Sequence, residues 1–157
     1  MNLKKILFLV LCSILSSGLK ANENLRKETV EIAERAVNTI EDVDGATLDF
    51  SANSLKEIDR IVLEIRKEEG NDPEPFQHVL YMLGVYVGEV LLRNIDGSEW
   101  VTVPKKLVDI GAAQESEIWL KAKNGSLYNP IGKVYKLMKN GQENSVHQFY
   151  NYLKSKK

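Results

Sequence analysis

The sequence predicts an α+β protein, with helices leading and a small antiparallel sheet following, and three observations carry that expectation. Up to Asn94 the apolar residues recur at intervals of three and four, the helical period. After Gly97 the period changes, and Trp100, Val101 and Val103 begin a series of short segments rich in β-favouring residues. Two helix-start signatures, Asn129-Pro130 and Ser145, then stand near the end. The predicted order is three N-terminal helices, a small antiparallel sheet and two short C-terminal helices.

The first helix is expected from Glu23 to about Asp42, with Leu25, Ile32, Ala33, Ala36, Val37, Ile40 and Val43 on its apolar stripe and Asp44-Gly45 ending it. Ser54 and Glu57 form the Ser-x-x-Glu pattern of a capping box. They open a second helix that buries Leu55, Ile58, Ile61, Val62 and Ile65 and stops at Gly70. A turn through Asn71 to Pro75 leads to a third helix from about Glu74 to Asn94. Between Val79 and Leu92 its only charge is Glu89, so it belongs at the centre of the fold. Gly84 and Gly88 lie four apart on one face and let a neighbouring backbone approach closely.

Glu99 to Val103, Leu107 to Ala112 and Ile118 to Ala122 have strand length. Asn124-Gly125 is a hairpin turn that pairs Ile118 to Lys123 with Ser126 to Tyr128. Asn129 caps a helix carrying Ile131, Val134, Tyr135 and Met138, which ends at Asn140-Gly141. Ser145 begins a last helix with Val146, Phe149, Tyr150 and Leu153.

The first residues read differently from the rest. Lys4 and Lys5 precede an uncharged apolar run of about ten residues, Ile6 to Leu15, and Ser16, Ser17 and Gly18 then break the pattern. A permanent membrane helix needs roughly 20 apolar residues, so the reading is a removable secretory leader, residues 1–21, cut after Ala21 or alternatively after Gly18. An uncleaved N-terminal anchor is the competing reading. Leu11 before Cys12, and further apolar sequence after it, argue against a lipid-carrying cysteine.

Residues 22–157 then form a single α+β domain without cysteine, whose stability comes from packing rather than disulfides. The whole chain has 21 Lys and Arg against 22 Asp and Glu, and loss of Lys4, Lys5 and Lys20 leaves 18 against 22. Residues 22–100 carry 8 bases and 18 acids, whereas residues 101–157 carry 10 bases and 4 acids. Such polarity serves a docking surface, or two faces that attract each other within the fold.

Signatures for catalysis are few. Gly-x-Ser-x-Gly, His-Glu-x-x-His and phosphate-cradling glycine loops do not occur in the sequence. Glu74 and His78, one helical turn apart, are two potential ligands, too few for a zinc site, and neither metal nor cofactor is expected. Glu89 is the most interesting carboxylate: buried and perturbed it serves acid or base work with His78 or Tyr86, whereas paired with Arg93, or bonded by Trp100 or Tyr86, it is structural. Tyr81, Tyr86, Trp100, Trp119, Tyr128 and Tyr135 line a groove or fill a core. Net acidity, and lysines not interleaved with aromatics, argue against nucleic acid.

The runs Leu48-Asp49-Phe50-Ser51 and Ser54-Leu55, the stretch Leu83 to Val90, Gly97 with Trp100, Asn129-Pro130 and Asn140-Gly141 together resemble an uncharacterised family of small bacterial exported domains, over roughly Leu48 to Tyr150. The resemblance implies a compact helix-plus-sheet fold of no assigned activity, centred on the Gly-x-Tyr-x-Gly-Glu motif of Gly84 to Glu89.

The functional expectation is a periplasmic or secreted protein-binding domain, an immunity or inhibitor protein that neutralises a toxin or envelope enzyme. The first alternative is a small envelope hydrolase or ligand-binding protein that uses Glu89 with His78 or Tyr86. The second is a structural accessory of the envelope.

Overall fold

The computed structural model describes residues 3–95, 97–103, 107 and 116–156, with side chains from Asn22 onward. It is an α+β arrangement of helices around a three-stranded antiparallel sheet. Helices α1 (Leu3–Asp44), α2 (Leu55–Glu69) and α3 (Gln77–Asn94) come first. Strands β1 (Glu99–Thr102), β2 (Ile118–Lys121) and β3 (Leu127–Tyr128) follow in the spatial order β1-β2-β3. Helices α4 (Pro130–Asn140) and α5 (Val146–Ser155) complete the described residues. The expected strand from Leu107 to Ala112 lies outside the described residues apart from Leu107.

Helix α3 is the axis of the core, as its near-continuous apolar run requires. Leu80, Leu83, Val85, Tyr86, Val87, Val90 and Leu91 are all buried, and α1, α2 and α4 pack around it. Gly84 lets α4 come close: a Cβ there would lie 2.5 Å from Ile131 Cα. Gly88 instead admits a side chain, because a Cβ on it would lie 2.2 Å from the Trp100 ring. The expected close approach of another backbone therefore holds at Gly84, whereas at Gly88 the neighbour is an indole.

In the sheet, Trp100 faces Leu120 and Val101 faces Trp119 across β1 and β2, and Leu120 faces Tyr128 across β2 and β3. The alternation of a strand sends Trp100 and Leu120, each 1% exposed, to the same inner face. Gly125 has φ +84°, and its N–H donates to Ala122 O at 2.8 Å, so Asn124-Gly125 does close the hairpin between β2 and β3. The two C-terminal caps also form. Asn129 Oδ1 accepts from Gly132 N at 2.7 Å, and Ser145 Oγ accepts from Gln148 N at 3.0 Å.

Four local expectations need correction. Val43 is 82% exposed, because α1 is ending there and its last turn projects beyond the packed layer. Ser54 and Glu57 do not form a capping box. Ser54 Oγ donates to Ser51 O at 2.7 Å and meets the Tyr86 hydroxyl, while Glu57 turns to Arg60 at 2.9 Å. The stretch Glu74–Phe76 is a tighter 3₁₀ turn, so α3 itself begins at Gln77. The helix expected from Glu23 is the second part of a longer one that runs from Leu3.

Candidate functional site

Glu89 is completely buried, and three elements converge on its carboxylate. From α1, Arg26 Nη1 donates to Oε1 at 2.5 Å. From β1, Trp100 Nε1 donates to the same oxygen at 2.9 Å. One turn along α3, Arg93 Nε stands 3.9 Å from Oε2, an ion pair too long for a hydrogen bond. Oε2 accepts no hydrogen bond among the described residues.

Each partner is delivered by local sequence logic. Arg26 lies in register with the buried stripe of α1, Thr29, Ala33, Ala36 and Ile40, so the helix that packs on α3 carries the guanidinium to it. Trp100 is the inward residue of β1, and the missing side chain at Gly88 leaves room for its ring. A buried carboxylate without such partners would cost several kcal/mol. Arg26 keeps 40% of its side chain exposed, so water still solvates the outer side of the cation.

Tyr86 lies three residues before Glu89, yet its hydroxyl serves a different network. It accepts from Phe50 N at 2.9 Å and lies 2.7 Å from Ser54 Oγ. Burial raises the phenol pKa above its usual value, more than the hydrogen bonds from Ser54 and Phe50 lower it. Phe50 is thereby fixed in a left-handed backbone conformation, φ +59°. Its ring stacks 4.9 Å from that of Tyr86 and carries the Arg93 guanidinium 3.5 Å above it, and its carbonyl accepts from Asn94 Nδ2 at 3.0 Å. Residues 48–51, which the sequence singled out only by resemblance, are thus clamped onto the end of α3.

His78 is exposed in the first turn of α3. Eleven residues separate it from Glu89, about 16 Å along a helix, so the structure does not bring the two together. Glu74 is exposed as well, and among the described residues no group of three or more His, Cys, Asp or Glu gathers to hold a metal. Of the aromatic residues considered for a groove, Tyr86 and Trp100 are core. Tyr81, Trp119, Tyr128 and Tyr135 are half-buried.

Sequence reasoning missed a second buried acid. Asp59 interrupts the apolar stripe of α2 and holds the start of α5: Oδ1 accepts from Val146 N at 2.7 Å, and Oδ2 from Ser145 Oγ at 2.6 Å and His147 N at 3.3 Å. An acid at a helix N-terminus is favoured by the exposed N–H groups and the macrodipole there. Asp59 and Arg26 share one signal that could have found them, a single charged residue in register with an apolar stripe.

Chemically, Glu89 Oε1 already accepts from two donors. A cleft of about 260 Å³ lies beside the pair and is lined by Asn22, Arg26, Leu92, Ser98, Glu99 and Trp100 among others, but Glu89 does not line it. The arrangement joins α1, α3 and β1 and leaves Glu89 no direct face to a substrate. Among the described residues no helix is long and apolar enough to cross a membrane.

Compared with known families, residues 57–150 match the one described as Domain of unknown function (DUF3806). The match starts at Glu57, later than the resemblance from Leu48, and takes in most of α2, then α3, the sheet, α4 and half of α5. No curated protein and no solved structure matches the chain.

Proposed function

The chain belongs to the family described as Domain of unknown function (DUF3806), and from that premise we propose that it acts by binding a protein partner rather than by catalysis. The observation that carries this reading is the engagement of Glu89. The carboxylate best suited by burial to acid or base work is committed to Arg26 and Trp100, and the cleft beside it touches those two partners instead.

The distribution of charge supports docking. The outer face of α1 exposes Glu28, Glu31, Glu34, Glu41 and Asp42 against Lys27 and Arg35. Lys121, Lys123, Lys136, Lys139, Lys154 and Lys156 are exposed on β2, its turn, α4, α5 and the residue after it. An acidic helix face steers a basic partner surface toward itself and raises the association rate. With the leader read at residues 1–21, the setting is outside the cytosol, and an immunity or inhibitor protein that covers a basic toxin or envelope enzyme is the role such a face suits.

The test is a stoichiometric complex recovered from an envelope extract at low salt. The complex should dissociate near 1 M salt, where the screening length falls to about 3 Å. Paired reversals Glu31→Lys and Glu34→Lys should abolish it without lowering the melting temperature. A turnover activity that Glu89→Gln eliminates, in a variant that still folds, would overturn the proposal. The N-terminal residue of the native protein tests the leader: Asn22 is expected, and retention of Met1 would mean that residues 1–21 are not removed.

A further inference from the structure

A second cleft, of about 330 Å³, opens where the end of α3, the β2–β3 hairpin and the end of α5 meet. Its floor is apolar: Leu91 and Leu120 are each 1% exposed and Leu153 is 6% exposed, with Ile95 and Tyr128 half-buried on the walls. Two lysines belong to its border, Lys123 from the hairpin turn and Lys156 just beyond α5, and both residues are exposed. No carboxylate lines it among the described residues.

An apolar floor with a cationic mouth is complementary to a molecule with the inverse layout, an apolar chain ending in one anionic group. The volume lies at the lower end of the range for small-ligand sites, which suits a single short chain rather than a peptide or a two-chain lipid. Neither Lys123 nor Lys156 forms an ion pair among the described residues, and the Lys156 Nζ rests only over the Tyr152 ring, 5.3 Å from its centroid. Neither ammonium is therefore neutralised by a carboxylate among the described residues. We propose that this cleft binds a free single-chain anionic amphiphile, of the medium-chain carboxylate class. This site is separate from the Glu89 cluster and from the acidic face of α1, and it does not rest on the docking role.

Decanoate, titrated into the full chain below its micelle concentration, is the probe. Calorimetry should give one site, with amide shifts confined to Ile95, Leu120, Tyr128 and their neighbours. Shortening the chain should weaken binding about fourfold per methylene. Decylammonium, with the same tail and the opposite charge, should bind at least tenfold more weakly. Lys123→Gln and Lys156→Gln should each weaken decanoate about two- to fivefold, the range for exposed charge pairs. These substitutions touch no core residue and keep the proposal testable if Ile95→Asp, which sets a carboxylate in the wall, fails to fold.

Equal affinity for the two head groups would overturn the proposal. So would indifference to both lysine substitutions, or shifts centred elsewhere. Absence of decanoate binding would overturn it too. Uptake by phosphatidylglycerol vesicles without decanoate binding would assign the surface to a membrane instead.

Discussion

Gly88 and Trp100 share one volume: a Cβ on Gly88 would lie 2.2 Å from Cζ2 and 2.3 Å from Cη2 of the indole. The ring can lie against α3 only because that position has no side chain, and there its nitrogen reaches Glu89. The cost of glycine in a helix, up to about 1 kcal/mol, is thus offset by a packed and hydrogen-bonded tryptophan.

Gly88→Ala should destabilise the fold by about 1–3 kcal/mol despite its better helix propensity, because the indole must move and its bond to Glu89 lengthens. Gly84→Ala should cost at least as much. Its added Cβ would meet the backbone of Ile131 at 2.5 Å, and a helix yields less readily than a ring. Urea midpoints at constant slope measure both. A gain in stability from Gly88→Ala would mean that the indole does not occupy this space.

Arg26→Met leaves Glu89 buried without its closest cation, and a loss of about 2–4 kcal/mol is expected, moderated by Arg93 at 3.9 Å. The double variant with Glu89→Leu should recover much of that loss, since an apolar pair of similar size needs no desolvation of charge. A double-mutant cycle gives the coupling. Independent, additive effects would show that the pair does not act as a unit.

Asp59→Ala removes the acceptor of three hydrogen bonds that hold the start of α5, and should cost about 2–4 kcal/mol. Ser145→Ala should cost about 1 kcal/mol, since it removes the cap on Gln148 N as well as one donor to Asp59. Amide exchange should accelerate in α5 before α3 in both variants.

Tyr86 predicts an alkaline limit. Its folded-state pKa is raised, chiefly by burial, so the folded chain keeps a proton that the unfolded chain releases near pH 10. Above that pH the unfolded state binds fewer protons, and stability falls as pH rises through the folded-state value; below pH 10 this residue contributes no slope. Tyr86→Phe should blunt the fall without removing it, because burial also raises Tyr81. Denaturant unfolding between pH 8 and pH 11 measures the slope.

Elements whose signals lie within a few residues were legible in the sequence. Asn129 capping Gly132, the Asn124-Gly125 turn and the apolar stripe of α2 each depend on neighbours three or four positions away. The same local logic misled at Ser54 and Glu57, whose pattern is that of a cap. The Ser54 hydroxyl is drawn instead to Tyr86, 32 positions on, where a buried phenol needs a partner. Glu89 was legible as a buried acid paired with Arg93 or bonded by Trp100. Arg26 was not, because it is 63 positions away and only the packing of α1 on α3 brings it there. The pairing of Asp59 with Ser145, across 86 positions, was hidden for the same reason.

That last pairing ties two helices together through one acid. If α5 detached, Asp59 would lose all three of its donors at once. Detachment of α5 therefore costs more than the exposure of its apolar face alone. A single acid in the second helix thus acts as a latch on α5.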